Sequence, residues 1–161
     1  MKKFAKFLGT TLAVVVGLVA LLIVVSRFSG GSLVELLPGG SLTTGEIVTG
    51  GPIDWSFVSD HLYVEFESDG RSRKTNILTA DGHDYIPASL DFPPLKTWHK
   101  KALENPEAVI RIAGKRYPRR LQKFDDPALE ARLKEQAKMK YGGGPDPQFG
   151  AWFFRLDPPS S

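Results

Sequence analysis

Hydrophobic and polar positions divide the chain into two regimes. From Phe7 to Val25 every residue is apolar, glycine or threonine, and none is charged. At about 1.5 Å per residue a helix of that length spans roughly the hydrocarbon thickness of a bilayer. A buried soluble helix would carry a polar stripe, and this one has none. A cleaved signal peptide is the competing reading. The run exceeds the usual apolar core of about 7–15 residues, no Ala-x-Ala site follows it, and Ser29-Gly30-Gly31 is a weak substitute. A retained anchor over residues 1–27, with bilayer contact through 7–25, is the expectation.

Beyond the anchor the pattern becomes short and alternating. Residues 28–45 read as a Gly, Ser and Thr-rich linker with some order, since Leu33 to Leu37 are too apolar for a free coil. Its apolar pentapeptide Leu33 to Leu37 either lies on the membrane or covers the domain that follows. Residues 46–161 form that domain. Glu46 to Thr49 suggest a first strand, and Asp54 to Val58 a second strand or a bridging turn. Leu62, Val64 and Phe66 alternate with polar neighbours, as in a half-buried strand. The Asp69-Gly70 turn pairs that strand with Arg71 to Thr79, because Asp-Gly favours the positive φ angles of a tight hairpin.

Asp81-Gly82 leads into a strand Tyr85 to Pro87, and Ala88 to Pro94 reads as a loop held out of helix by prolines. Thr97 is placed to cap a helix Trp98 to Glu104. Ala108 to Ile112 and Tyr117 to Phe124 form a second hairpin. The last helix is capped by Asp126, with Pro127 in its first turn and Leu129, Leu133, Ala137 and Tyr141 in an i, i+4 stripe. A closing strand runs from Ala151 to Leu156. Six or seven strands joined by short turns imply antiparallel pairing. The predicted fold is mainly β (α+β), a split β-barrel with peripheral helices behind one transmembrane helix.

Charge sharpens the anchor. Lys2, Lys3 and Lys6 precede the span and only Arg27 closely follows it, so the short N-terminus is expected in the cytoplasm and the domain outside. In a Gram-negative cell that means the periplasm. The net charge is +3, but four of the 21 basic residues flank the span. The rest of the chain holds 17 basic against 18 acidic residues, which removes the case for nucleic-acid binding. The chain has no cysteine, which excludes disulfides, thiolate ligands and a Cys nucleophile. His61, His83 and His99 lack metal-ligand spacing, and no Gly-x-Ser-x-Gly elbow occurs.

The candidate chemistry centres on Arg73, Lys74, Thr75 and Asn76, consecutive donors able to hold a phosphate or to form an ordinary solvated strand. Gly70-Arg71-Ser72-Arg73-Lys74-Thr75, Ala88-Ser89, Trp98-His99 and Leu103-Glu104-Asn105-Pro106 follow in a characteristic order. In that order the chain resembles the deazaflavin-dependent nitroreductases of the FMN-binding split-barrel superfamily over roughly residues 60 to 125. The resemblance implies FMN or deazaflavin as cofactor and a small-molecule substrate. By position it implies phosphate contact at Arg73, Lys74, Thr75 and Asn76, approach by Ala88 and Ser89, and cover from Trp98 and His99.

Two functions follow. One is a membrane-anchored flavin or deazaflavin oxidoreductase, with hydride transfer supplied by the cofactor. The other is a non-enzymatic binding module of the same fold for a lipid, a tetrapyrrole or a protein partner, with homodimerisation left open. Trp55, Trp98, Trp152, Phe153 and Phe154 would line a pocket in the first and fill a core in the second. Glu65 and Glu67 pose the discriminating question. If they pair with Arg73 and Lys74, the hairpin is structural.

Overall fold

The computed structural model of the chain describes residues 2–31, 38–49, 53–91, 93, 96–142 and 150–159. The apolar run lies within helix α1, Lys2–Phe28. Its segment Lys6–Phe28 is long and apolar enough to cross a membrane, with a mean hydropathy of 2.8 in a window that packs against nothing. Among the described residues eight strands follow: β1 Glu46–Ile47, β2 Tyr63–Ser68, β3 Arg71–Asn76, β4 Leu78–Ala80, β5 His83–Ser89, β6 Glu107–Ile112, β7 Lys115–Lys123 and β8 Ala151–Asp157. Helix α2, Trp98–Glu104, precedes β6, and helix α3, Pro127–Tyr141, precedes β8.

The strands lie in the order β3-β2-β6-β7-β8-β5-β4, antiparallel throughout. The two end strands, β3 and β4, are separated in the chain by one residue, Ile77. A sheet whose edges are successive halves of one bent segment has curled on itself, so it is a barrel and not an open sheet. The seam between β3 and β5 carries contacts but no strand pairing, which leaves the barrel split there. The fold is therefore the expected mainly-β split barrel with peripheral helices.

The bend at Ile77 takes its backbone groups out of the strand ladder, and buried polar groups need partners. The Tyr141 hydroxyl accepts from Ile77 N–H at 3.0 Å and donates to Ile77 C=O at 2.8 Å. The predicted stripe on α3 thus ends in a polar clamp. Leu133 is fully buried, and Leu129, Ala137 and Tyr141 pack with it against Leu78, Tyr85 and Phe153 on the outer face of the barrel. Asp126 caps α3 by accepting from the amides of Ala128 and Leu129. Inside the barrel, Val64, Phe66, Ile86, Ile110, Phe154 and their neighbours form the main core.

Several local expectations are corrected. The first strand is two residues long and runs parallel to β7. Of the strand or bridging turn expected at Asp54 to Val58, the turn is found: residues 56–60 are 3-10, because Trp55 and Phe57 fold over Tyr117 while Val58 buries completely. Ala88 and Ser89 are not loop residues. They end β5, opposite Trp152 and Ala151, because Pro87 and its successors can all be paired from β8. Thr97 occupies the N-cap position of α2 without a side-chain capping bond. Leu33 to Leu37 lie outside the described residues.

The stretch expected to be a linker is docked. Gly40 N–H donates to Ser26 C=O at 3.1 Å, and Ser72 Oγ donates to Gly40 C=O at 2.6 Å. Gly39 bridges Ser72, Leu42 N–H donates to Glu67, and Arg116 donates to the carbonyls of Leu42 and Gly45. Residues 38–48 are a strap across the outer face of β3, β2, β6 and β7. At Gly39 and Gly40 a Cβ would meet backbone of the chain emerging from α1 at under 3 Å, so this approach requires glycine.

Candidate functional site

The pleat of β2 and β3 decides which donors converge. Tyr63, Glu65 and Glu67 alternate with buried Val64, Phe66 and Ser68. Register places Glu65 opposite Lys74, Phe66 opposite Arg73 and Val64 opposite Thr75. Directly opposed residues share a face. Arg73 and Thr75 therefore project with Phe66 towards the core, whereas Lys74 and Asn76 project outward with the two glutamates. The four consecutive donors are divided between the two faces.

The glutamates turn away from Arg73. Glu65 takes a bidentate contact from Arg111 at 2.6 and 2.8 Å, and Glu67 accepts from Leu42 N–H at 2.6 Å. The Arg111 guanidinium also donates to Gly30 C=O and to Thr44 Oγ1, and its pKa is raised chiefly by the bond to Glu65. A hollow of about 310 Å³ opens here between Thr44, Glu65, Arg111 and Gly114. Its two charged groups are already joined to each other.

Arg73 has no such partner. Its guanidinium carbon lies 5.4 Å from the Trp98 ring and 5.8 Å from the Phe66 ring, and Nε is buried without a hydrogen bond. Among the described residues no carboxylate pairs with it. Burial, then the charge of Arg71, lowers its pKa to about 10. Beside it, Lys96 donates to Ser89 C=O, and burial together with the Arg73 charge lowers the ammonium to about 8.

Helix α2 supplies the rest. Its last turn is tied to the β2–β3 turn by the ion pair of Lys101 with Asp69, at 2.5 Å. Trp98 packs edge-on against Phe66 and tilted against Phe154, with ring centroids 4.9 and 5.4 Å apart. His99 is 3% exposed and meets the Trp152 ring edge-on at 5.2 Å. Burial, followed by Lys96, Lys100 and Arg73, lowers the pKa of His99 and so favours the neutral ring at pH 7. Its Nδ1 is buried with no partner, as is the Ser68 hydroxyl, two residues along β2 from Phe66. Lys123 lies over the far ring, 5.2 Å from Trp152.

Three buried side-chain polar atoms without partners occur among the described residues, on Ser68, Arg73 and His99. All three belong to the segments that meet around Trp98. Buried polar groups are ordinarily satisfied, and each exception asks for a cause. An Arg73 guanidinium that pairs with no described carboxylate, beside a neutral imidazole and indole rings, can offer an anion hydrogen bonds and an aromatic wall. Of the residues proposed from sequence, Arg73, Trp98 and His99 come together, and Ser89 joins them through its carbonyl on Lys96. Thr75 shares the face of Arg73, and Ala88 is sealed in the core opposite Trp152. Lys96 and Ser68 were missed. Lys96 stands just before the N-cap of α2, where a cation beside Trp-His could have drawn notice, whereas nothing in the sequence distinguishes Ser68.

No family model matches the chain, and no curated protein sequence does. Among solved structures it is similar to a candidate pyridoxamine 5′-phosphate oxidase from Listeria innocua. The match covers 65% of this chain and 90% of that one, at 14% identity and a TM-score of 0.47. This is a likeness of outline from which no residue role is carried over.

Proposed function

We propose that the chain is a membrane-anchored oxidoreductase whose barrel binds a phosphate-bearing flavin, FMN, at the α2 end. The observation that carries this reading is the meeting at Trp98 of two buried, unpartnered atoms, Arg73 Nε and His99 Nδ1, with a guanidinium that no carboxylate among the described residues pairs. The donor set suits a phosphomonoester: Arg73 presents a planar fork and Lys96 a point charge. His99 can give or take one hydrogen bond at Nδ1, according to its tautomer. The Trp98 and Trp152 rings shield the cations from water and give a planar ligand an apolar wall. A bound flavin supplies hydride transfer, and the protein contributes position and electrostatics. The finer assignment, a nitroreductase using deazaflavin, rests on the motif resemblance alone. In this account α1 spans the bilayer with its N-terminus in the cytoplasm and the barrel on the opposite side.

One observation favours a second reading, a binding module without cofactor. Trp98 and Ala88 are buried in the core, so packing at the barrel mouth is complete from protein atoms alone. Loading the full-length chain with FMN in detergent and then desalting it separates the two. The oxidoreductase reading expects a visible flavin band that stays with the protein and is lost in Arg73→Met. A colourless wild-type protein would leave the binding module as the better account.

A further inference from the structure

The strap fixes more than its own path. Ser26, in the last turn of α1, is buried, and its hydroxyl donates to Pro38 C=O at 3.0 Å. From Ser26 the contacts run through Gly40 to Ser72 of β3, and from Gly30 through Arg111 to Glu65 of β2. The end of the candidate span is thus bonded to the outer face of β2 and β3 on two sides. A free linker would let the barrel roam above the membrane. Here the hydrogen bonds seat the barrel where the helix leaves the bilayer.

The chemistry of that face matches the location. Glu65 is ion-paired with Arg111, and Glu67 is turned to the strap, where it accepts from the Leu42 amide. What remains exposed is Lys74, with Tyr63 half-exposed beside it on β2 and Arg27 and Phe28 at the helix end. Lys74 lies two residues from Ser72 on the same face. Cations attract anionic headgroups, and tyrosine favours the membrane–water interface. We propose that the outer face of β2 and β3 is a membrane-contact surface, on which the barrel rests against anionic headgroups. The inference rests on α1 as the membrane span and is independent of what the α2 site binds.

The absence of cysteine allows single-site labelling without background. Lys74→Cys and Tyr63→Cys place a spin label on the face, and Ala131→Cys places one on exposed α3, beside the Arg132–Asp81 pair. The full chain is reconstituted in phosphatidylcholine vesicles containing phosphatidylglycerol. Collisions with a water-soluble nickel chelate and with oxygen are then measured at each label. The expected result is a several-fold lower nickel accessibility at 74 and 63 than at 131, with oxygen accessibility moving the opposite way. Adding Arg111→Ala should bring position 74 back towards the value at 131 while the chain still floats with vesicles. Equal nickel accessibility at all three positions in a vesicle-bound chain would overturn the contact surface and leave the span intact. A chain that does not float with vesicles would overturn the span and the inference with it.

Discussion

Replacing Arg73 by methionine should stabilise the barrel while disabling its site. Burial lowers the guanidinium pKa to about 10, more than two units below its ordinary value. At about 1.4 kcal/mol per pK unit, the charged form costs about 3 kcal/mol in that place. Residual solvent contact and the rings of Trp98 and Phe66 return part of this, since a cation–π contact is worth about 0.5–2 kcal/mol. Methionine keeps the apolar stem against those rings and leaves no unpaired donor. A net gain of about 1–2 kcal/mol follows, or about 4–8 °C in Tm for a domain of this size. Inorganic phosphate should reverse the order. A ligand at about 100 times its Kd stabilises the native state by about 2.7 kcal/mol, and that gain requires Arg73. Thermal melts of both full-length proteins, with phosphate or with chloride at equal ionic strength, measure each quantity. An Arg73→Met protein that melts lower without phosphate, or gains as much from phosphate as wild type, would refute the reasoning.

Other sites give separate tests. Tyr141→Phe removes the group that satisfies both backbone polar atoms of Ile77; denaturant unfolding should show a loss of about 1–3 kcal/mol, because a buried N–H is left unmade. Arg111→Met leaves Glu65 uncompensated and cuts the strap, and should cost about 2–3 kcal/mol, less than a fully buried pair because both partners retain some exposure. Combining it with Glu65→Gln should recover part of that loss in the same unfolding assay. Burial is the leading cause that raises the pKa of Asp84 above 3.8, opposed by its bond from Thr79. Its penalty is therefore absent below the ordinary carboxylate range, grows as pH rises, and is complete above the folded value. Melts recorded from acid to neutral pH should show Asp84→Asn gaining on wild type as pH rises.

The fold was largely legible because its signals are local. The Asp69-Gly70 and Asp81-Gly82 turns occur with both residues at positive φ, and the Leu129 to Tyr141 stripe packs as its spacing requires. The barrel closure was less so, since it depends on one residue, Ile77, where a predicted single strand switches sheet edges. The strap was read as a linker with some order from its apolar Leu33 to Leu37, but only tertiary contact shows Gly39 and Gly40 to be close-approach positions. At the site, four consecutive donors looked like one cradle. A period of two sends Lys74 and Asn76 away from Arg73, and that consequence was available from the strand assignment itself. Lys96 was hidden because neither its bond to the Ser89 carbonyl nor its approach to the Arg73 charge on β3 follows from the local pattern.

The phosphate-bearing flavin at the α2 end is tested most directly by comparing FMN with riboflavin, which has the same ring system without the phosphate. Calorimetric titration of the full-length protein in detergent should give FMN at least about tenfold tighter binding, since a charge-assisted contact is worth about 1.5–3 kcal/mol. In Arg73→Met the two ligands should bind alike. Equal affinities in the wild-type protein, or no heat with either ligand, would contradict the account.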